Sequence, residues 1–287
     1  MTDSPWFQNR TIVIATKHQK EQVIAPLLTE AFNLNVIVPP DFDTDQFGTF
    51  TRDIKRRGTQ IEAARFKAEA ILEQTGESLA IASEGSFAPH PAFPFISANR
   101  EIVLLLDKKH DLVIYGEELS TETNHYHQTV KTIEEALVFA EKIGFPEHGL
   151  VAMFDPDTQH PEQIFKGIQS QEEFIKTVQF VLQESLTKTA HLETDMRAMC
   201  NPTRMKVIEK ATQNLIQKLR QYCPQCNIPG FDVTEKRSGL PCSWCNAPTS
   251  LILAEVYQCH RCHFQQEQRF PTGIKAADPT YCSYCNP

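Results

Sequence analysis

The stretch GTQIEAARFKAEAILEQTGESLAIASEGSF, residues 58–87, decides how this chain folds. Ile61, Ala64, Ala68, Ile71 and Leu72 recur at helical spacing and Gly76 ends the run. LAIA at 79–82 then reads as a short buried strand, and the polar residues after it as an abrupt turn. The helix carries a carboxylate near its start, Glu62, and the turn carries another, Glu84. Ligands usually sit at loops on the ends of strands in an α/β sheet. Two carboxylates converging there suit a magnesium ion, which takes oxygen ligands and often shares them with substrate phosphates. Both residues also have an ordinary reading. Thr59-Gln60-Ile61-Glu62 is a capping box, in which Glu62 closes the helix start, and Glu84 fits a plain turn.

Outward from this stretch, the N-terminal side supplies the rest of an α/β start. TIVIA at 11–15 is a buried strand, KEQVIAPLLTEAF at 20–32 a helix, and LNVIV at 34–38 a second strand stopped by Pro39-Pro40. Residues 39–57 read as a polar loop closing on the basic cluster Lys55-Arg56-Arg57. The β-α-β-α-β order predicts a sheet that is at least partly parallel. On the C-terminal side the pattern changes. EIVLLLD at 101–107 and DLVIYGEEL at 111–119 form a predicted hairpin, followed by a helix at 132–143, strands at 149–154 and 163–168, and a helix at 171–186. Pro202 can open a further helix bearing Met205, Ile208, Leu215, Ile216 and Leu219 at helical spacing.

The 287 residues suffice for one large domain and a smaller one, and 41% hydrophobic content supports a proper core. No apolar run is long enough to span a membrane, and the N-terminus lacks the apolar region of a secretory signal, so a cytoplasmic protein is expected. Charge is uneven. Residues 1–187 hold 16 basic and 28 acidic side chains, 188–220 hold 7 and 3, and 221–287 hold 5 and 5. The acidic body suits a metal-dependent site, or simply a solvated surface, better than broad phosphate-backbone binding.

The segment 11–186 resembles the inosine triphosphatase-like superfamily of nucleotide pyrophosphatases, in particular its inosine/xanthosine triphosphatase branch. ATKHQKEQVI (15–24) sits where that branch has a small-Thr-Asn loop with a lysine three residues on, matched by Lys20, while Lys17 stands at the asparagine position. QFGTFTRDIKRRGTQIEAARFKAEAIL (46–72) resembles its loop and helix, and IASEGSF (81–87) its acidic turn. The resemblance implies a mixed-sheet fold and magnesium-dependent hydrolysis of a nucleoside triphosphate to monophosphate and pyrophosphate. Glu62 and Glu84 would hold Mg2+, Lys17 and Lys20 would take phosphate charge, and Lys67 and Arg204 would touch the substrate. The whole chain also resembles a bacterial family, of a kind common in cyanobacteria, defined only as a domain of unknown function. ETDMRAMCNPTRM (193–205) and DPTYCSYCNP (278–287) carry that likeness.

Eight of nine cysteines form four CxxC pairs. A tight CxxC turn aims two thiolates at one tetrahedral ion, and without an export signal metal is favoured over disulfides. The spacings 227–241 and 263–281 fit zinc ribbons in which four cysteines hold each ion. Sequential pairing gives one site from Cys223, Cys226, Cys242 and Cys245 and another from Cys259, Cys262, Cys282 and Cys285; an interleaved pairing is the alternative. Two Zn2+ ions filled by eight thiolates leave no open position, so their role is structural. His260 and His263 suit surface or supporting roles, and Cys200 a buried, idle thiol. His125-x-His127 reads weakly as metal-binding, Asp155-x-Asp157 as a turn, and Arg197 as a phosphate clamp at most.

The expected organisation is an α/β domain at 1–187 that folds by itself, a helical linker at 188–221, and two zinc ribbons at 222–287. Two functions compete: the magnesium-dependent pyrophosphohydrolase above, and a non-catalytic protein that binds nucleotide, nucleic acid or a protein partner. A nucleotide or other phosphorylated small molecule is the expected ligand, the ribbons are candidates for nucleic acid or protein, and no membrane is involved.

Overall fold

A computed structural model describes residues 5–47, 58–158 and 160–286. The basic cluster Lys55-Arg56-Arg57 lies outside the described residues. The chain separates into two compact units, residues 1–216 and 217–287.

In the first unit, strand β1 (Thr11–Ala15), helix α1 (Glu21–Phe32), strand β2 (Asn35–Ile37), helix α2 (Gln60–Thr75) and strand β3 (Leu79–Pro89) follow the expected order. β1 pairs in parallel with both β2 and β3. Strands β4 (Ser97–Asp107) and β5 (Leu112–Ser120) then add antiparallel, giving a mixed sheet in the order β2-β1-β3-β4-β5. The chain leaves β1 for one edge and returns past it to β3, so the order reverses between β1 and β3. Right-handed crossovers therefore place α1 and α2 on opposite faces.

The α2 face is built from Val13, Ala15, Ala80, Ala82, Leu104 and Leu106 under Ala64, Ala68, Ile71 and Leu72, and no α1 residue belongs to that cluster. Period-two alternation puts Ser83, Gly85 and Glu101 on the opposite face. There helix α5 (Pro202–Arg220) crosses β5 at Gly116, where a Cβ would collide with the backbone of Ala211 and Leu215.

The polar turn expected after residue 82 does not form. β3 continues to Pro89, because Ser83–Pro89 find backbone partners along Ser97–Val103 of β4. Glu84 is a strand residue. A four-stranded antiparallel sheet follows, from β6 (His127–Val130), β7 (Leu150–Met153), β8 (Ile164–Ile168) and β9 (Ala190–Thr194), in the order β6-β9-β7-β8. Helices α3 (Ile133–Ile143) and α4 (Gln171–Glu184) cover it through Phe139, Phe174, Val178 and Val181.

Residues 188–221 therefore hold more than a helical linker. β9 lies between β6 and β7, and its apolar residues Ala190 and Leu192 are buried in that core.

The second unit carries a three-stranded antiparallel sheet, β10 (Asp232–Ser238), β11 (Ile252–Gln258) and β12 (Gln265–Arg269) in that order. Its polar strands bury little, which leaves much of its stabilisation to the cysteine groups.

Candidate functional site

Five charged side chains are buried together where the mixed sheet reverses its order: Lys20, Lys67, Glu84, Glu101 and Arg204. Ligands bind at such a point in open α/β sheets, outside the carboxyl ends of the parallel strands. β1 ends at Ala15 opposite Ala82, and β3 runs on past it paired only with β4, so the loop at 16–20 meets β3 at Ser83. Lys20 Nζ donates to Ser83 Oγ at 3.0 Å and lies 3.5 Å from the Ser83 carbonyl. The two other cations have carboxylate partners. Lys67 Nζ is 2.5 Å from Glu84 Oε1 on the α2 face, and Arg204 Nε is 2.7 Å from Glu101 Oε1 on the other. Gly85 makes room for the second pair, since a Cβ there would strike Glu101 Oε1 and Arg204 Nη2. Arg204 is further held by the Met196 carbonyl, at 2.5 Å, and its own N–H donates to Asn201 Oδ1.

Among the described residues no carboxylate lies within ion-pairing distance of Lys20. Burial lowers its ammonium to about 7, with the nearby Arg204 charge acting in the same direction and Glu101 in the opposite one. In the same loop the Thr16 hydroxyl is buried and has no hydrogen-bond partner among the described residues. Asn99 Oδ1, also buried and on the Glu101 face of β4, has none either. Buried polar atoms normally find partners. The orphaned Thr16 hydroxyl, a potential donor in the same loop as Lys20, therefore suits an anion there, whereas the Asn99 oxygen, an acceptor opposite Phe87, does not contribute.

The residues expected to hold magnesium do not assemble for it. Glu62 is exposed at the start of α2, where its Oε2 accepts from the Thr59 backbone N–H at 2.8 Å and from Thr59 Oγ1 at 2.9 Å. These bonds complete the capping box, and they lower the Glu62 carboxyl. Glu84 is turned to Lys67 instead. Neither belongs to any group of three or more metal-type donors among the described residues. Lys17, expected to share phosphate charge with Lys20, is half-exposed and pairs with Asp43 at 2.9 Å.

The weaker candidates resolve into local roles. Arg197 is clasped by Asp195 at 2.6 Å, and Asp155 accepts from the Asp157 N–H in a turn. His125 stacks on Phe87, and His127 lies near His191, and among the described residues neither belongs to a metal-type donor group. Burial, with Asp195 nearby, raises Cys200 to about 11, an unreactive thiol.

Sequence reasoning passed over Thr16 and Glu101. Glu101 had a readable signal: it is a charged residue opening a run, EIVLLLD, that is otherwise buried on both faces.

In the second unit the eight cysteines form two groups, Cys223/Cys226/Cys259/Cys262 and Cys242/Cys245/Cys282/Cys285. The sequential pairing is therefore corrected to the interleaved one. Sγ–Sγ distances are 3.5 Å for Cys223–Cys262 and Cys226–Cys259, 3.8 Å for Cys242–Cys285 and 3.6 Å for Cys245–Cys282. Disulfides are far shorter, whereas a tetrahedron with Zn–S of about 2.3 Å has edges of about 3.8 Å. The donor set thus fits two zinc ions.

The turns repeat. The residue after the second cysteine, Asn227, Asn246 or His263, takes a left-handed conformation and donates its N–H to the carbonyl of the first cysteine. Asn and His tolerate that region better than most residues, which accounts for His263 here. Backbone N–H groups of Trp244, Arg261 and Cys262 point at Cys242 or Cys259 sulfur at 3.4 Å, as thiolates require. Pairing crosses because β10 and β11 separate the first turn from the third, and antiparallel return brings Asp232 opposite Gln258.

A family model described as a domain of unknown function, DUF6671, matches residues 67–287, well over half of the chain. The chain belongs to the DUF6671 family. The match holds both cysteine groups, Lys67, Glu84, Glu101 and Arg204, and begins after Thr16 and Lys20. No curated protein and no solved structure matches the chain. The likeness to the inosine triphosphatase-like superfamily accordingly gains no support, and the fold stands as a mixed α/β unit with a cysteine-rich unit after it.

Proposed function

We propose that the first unit binds the phosphate of a small phosphorylated molecule, of which nucleotides are the leading class, and that the second unit is stabilised by two zinc ions. The observation that carries this reading is Lys20, a buried ammonium at the reversal point of the sheet with no carboxylate partner among the described residues. A phosphate oxygen there gains a charge-assisted bond from Lys20 and a donor in the Thr16 hydroxyl. Binding without hydrolysis is preferred over the magnesium-dependent pyrophosphohydrolase, because Glu62 is spent on a helix cap and Glu84 on Lys67.

Calorimetric titration with ATP, AMP and adenosine is the test. ATP and AMP should bind and adenosine should not, Lys20→Met should weaken binding at least tenfold, and Glu62→Gln should leave it unchanged. Equal behaviour of the Lys20→Met variant and the parent would remove the site. Magnesium-dependent release of pyrophosphate, abolished by Glu84→Gln, would restore the hydrolase reading.

One observation favours a second role for the cysteine-rich unit. Trp244 and Tyr284 each precede the second cysteine of a turn in the same group, and both residues are more than three-quarters exposed. Such a pair suits stacking on unpaired bases. Trp fluorescence should be quenched by a single-stranded oligonucleotide and not in Trp244→Ala; an unchanged signal would leave protein partners as the remaining class.

A further inference from the structure

Among the described residues, the charged groups around Lys20 pair with one another and leave it out. It donates to Ser83 of β3, and the charges acting on it are those of Arg204 from α5 and Glu101 from β4, then Lys67 from α2 and Glu84 from β3. Both carboxylates are already engaged, Glu84 with Lys67 and Glu101 with Arg204. Among the described residues a proton on Lys20 therefore makes three cations to two anions, a state that burial opposes. An anion arriving beside Lys20 supplies the missing negative charge. Protonation and ligand binding then favour each other, and by linkage each must raise the affinity for the other.

We propose that anion binding at Lys20 is proton-coupled: the unit takes up a proton from solvent onto Lys20 Nζ as the ligand's phosphate enters. This rests on the anion-site reading above. Before binding, a neutral Lys20 amine needs only the Ser83 hydroxyl, at 3.0 Å, as a partner. In the complex, the ammonium bonds the ligand oxygen, and the Thr16 hydroxyl, buried and without a partner among the described residues, donates to a second one. Lys67 and Arg204 keep their ion pairs with Glu84 and Glu101.

The consequence is a site that is strong in mildly acidic solution and fades in mildly alkaline solution. With Lys20 near 7 in the free protein, uptake should be about half a proton per site at pH 7 and close to one at pH 8. Affinity should then fall about tenfold for each pH unit above about 7.5.

The test is calorimetry on the full chain between pH 6 and pH 8.5, in buffers of different ionisation enthalpy, with sulfate and with ATP as ligands. Sulfate keeps a fixed charge over this range, so its proton uptake belongs to the protein. With ATP, the difference between the parent and Lys20→Arg isolates Lys20 from the ligand's own phosphate. The expected result is uptake that grows from pH 6 to pH 8 in the parent and is absent in Lys20→Arg. Binding of either ligand with no uptake and a flat pH profile overturns the proposal and leaves the anion site standing. Undiminished uptake in Lys20→Arg overturns it equally, because another group then carries the proton. Binding of neither ligand at any pH overturns the anion site itself.

Discussion

Lys20 is held at a cost to the unliganded fold, and the cost has a definite pH signature. Its folded value near 7 lies below the ordinary lysine value, so between about 7 and 10.5 the unfolded chain binds more protons than the folded one. Stability from this group is therefore full above the unfolded value, falls as pH descends towards 7, and is flat below that. Lys20→Met should remove the slope and raise stability at pH 7 by about 1–3 kcal/mol, while weakening anion binding at least about tenfold. Urea unfolding of parent and variant from pH 6 to pH 9.5 measures both effects, and a variant less stable than the parent at pH 7 would contradict the account. The Arg204–Glu101 pair should behave in the opposite way. Arg204→Met leaves a fully buried carboxylate alone, a loss of about 3–5 kcal/mol, whereas Gly85→Ala damages the same pair by collision and needs no change of charge. Much of this was hidden in the sequence. Lys20 was singled out by resemblance alone, and its phosphate role stands as a proposal, whereas Glu62 was legible as a cap from four residues. The pairings of Glu84 with Lys67 and Glu101 with Arg204 join residues 17 and 103 positions apart, which no local pattern reports.

At the scale of elements, the parallel half of the sheet was readable because helix and strand periods differ, and Gly76 and Pro39-Pro40 mark where one gives way to the other. The extension of β3 was not readable. Ser83, Glu84 and Gly85 are turn residues by type, and they stay in a strand because β4 offers eleven consecutive partners, Ser97–Asp107. The cysteine turns show the same division. Each CxxC was plain, but spacing favoured neighbours, while the hairpin of β10 and β11 brings the first turn to the third. The two pairings make different predictions for single substitutions. Cys226→Ser and Cys262→Ser should disable the same site, and Cys245→Ser and Cys285→Ser the other. With cobalt in place of zinc, each variant should keep one tetrahedral thiolate spectrum at about half the parent's intensity. A double variant, Cys226→Ser with Cys262→Ser, should then lose no more metal than either single variant. Loss of both ions in that double variant, with Cys226→Ser and Cys245→Ser together costing only one, would restore the sequential pairing.

At the scale of the molecule, the cysteine crossing and the placement of β9 and α5 decide where the chain can be cut. A chain ending at Gln258 keeps both early turns but removes half of each cysteine group, so it should bind no zinc tightly, where sequential ribbons would have kept one whole site. A chain ending at residue 187 has a different fault. It loses β9, which lies between β6 and β7 and buries Ala190 and Leu192 in the core of the second sheet. It also loses α5, whose Ala211 and Leu215 lie against Gly116, and whose Arg204 neutralises Glu101. Unpaired strand edges, a bared stretch of β5 and a buried lone carboxylate each weigh against folding, the last alone by about 3–5 kcal/mol. A chain ending at residue 221 keeps β9, all of α5 and every residue proposed to meet the anion. The shorter chain should therefore be insoluble or melt without cooperativity. The longer one should give a single cooperative transition without added zinc and bind ATP as the full chain does, with the same dependence on Lys20. A soluble, cooperative 1–187 fragment would show that the first unit closes without β9, and the dependence of Glu101 on Arg204 would have to be abandoned with it.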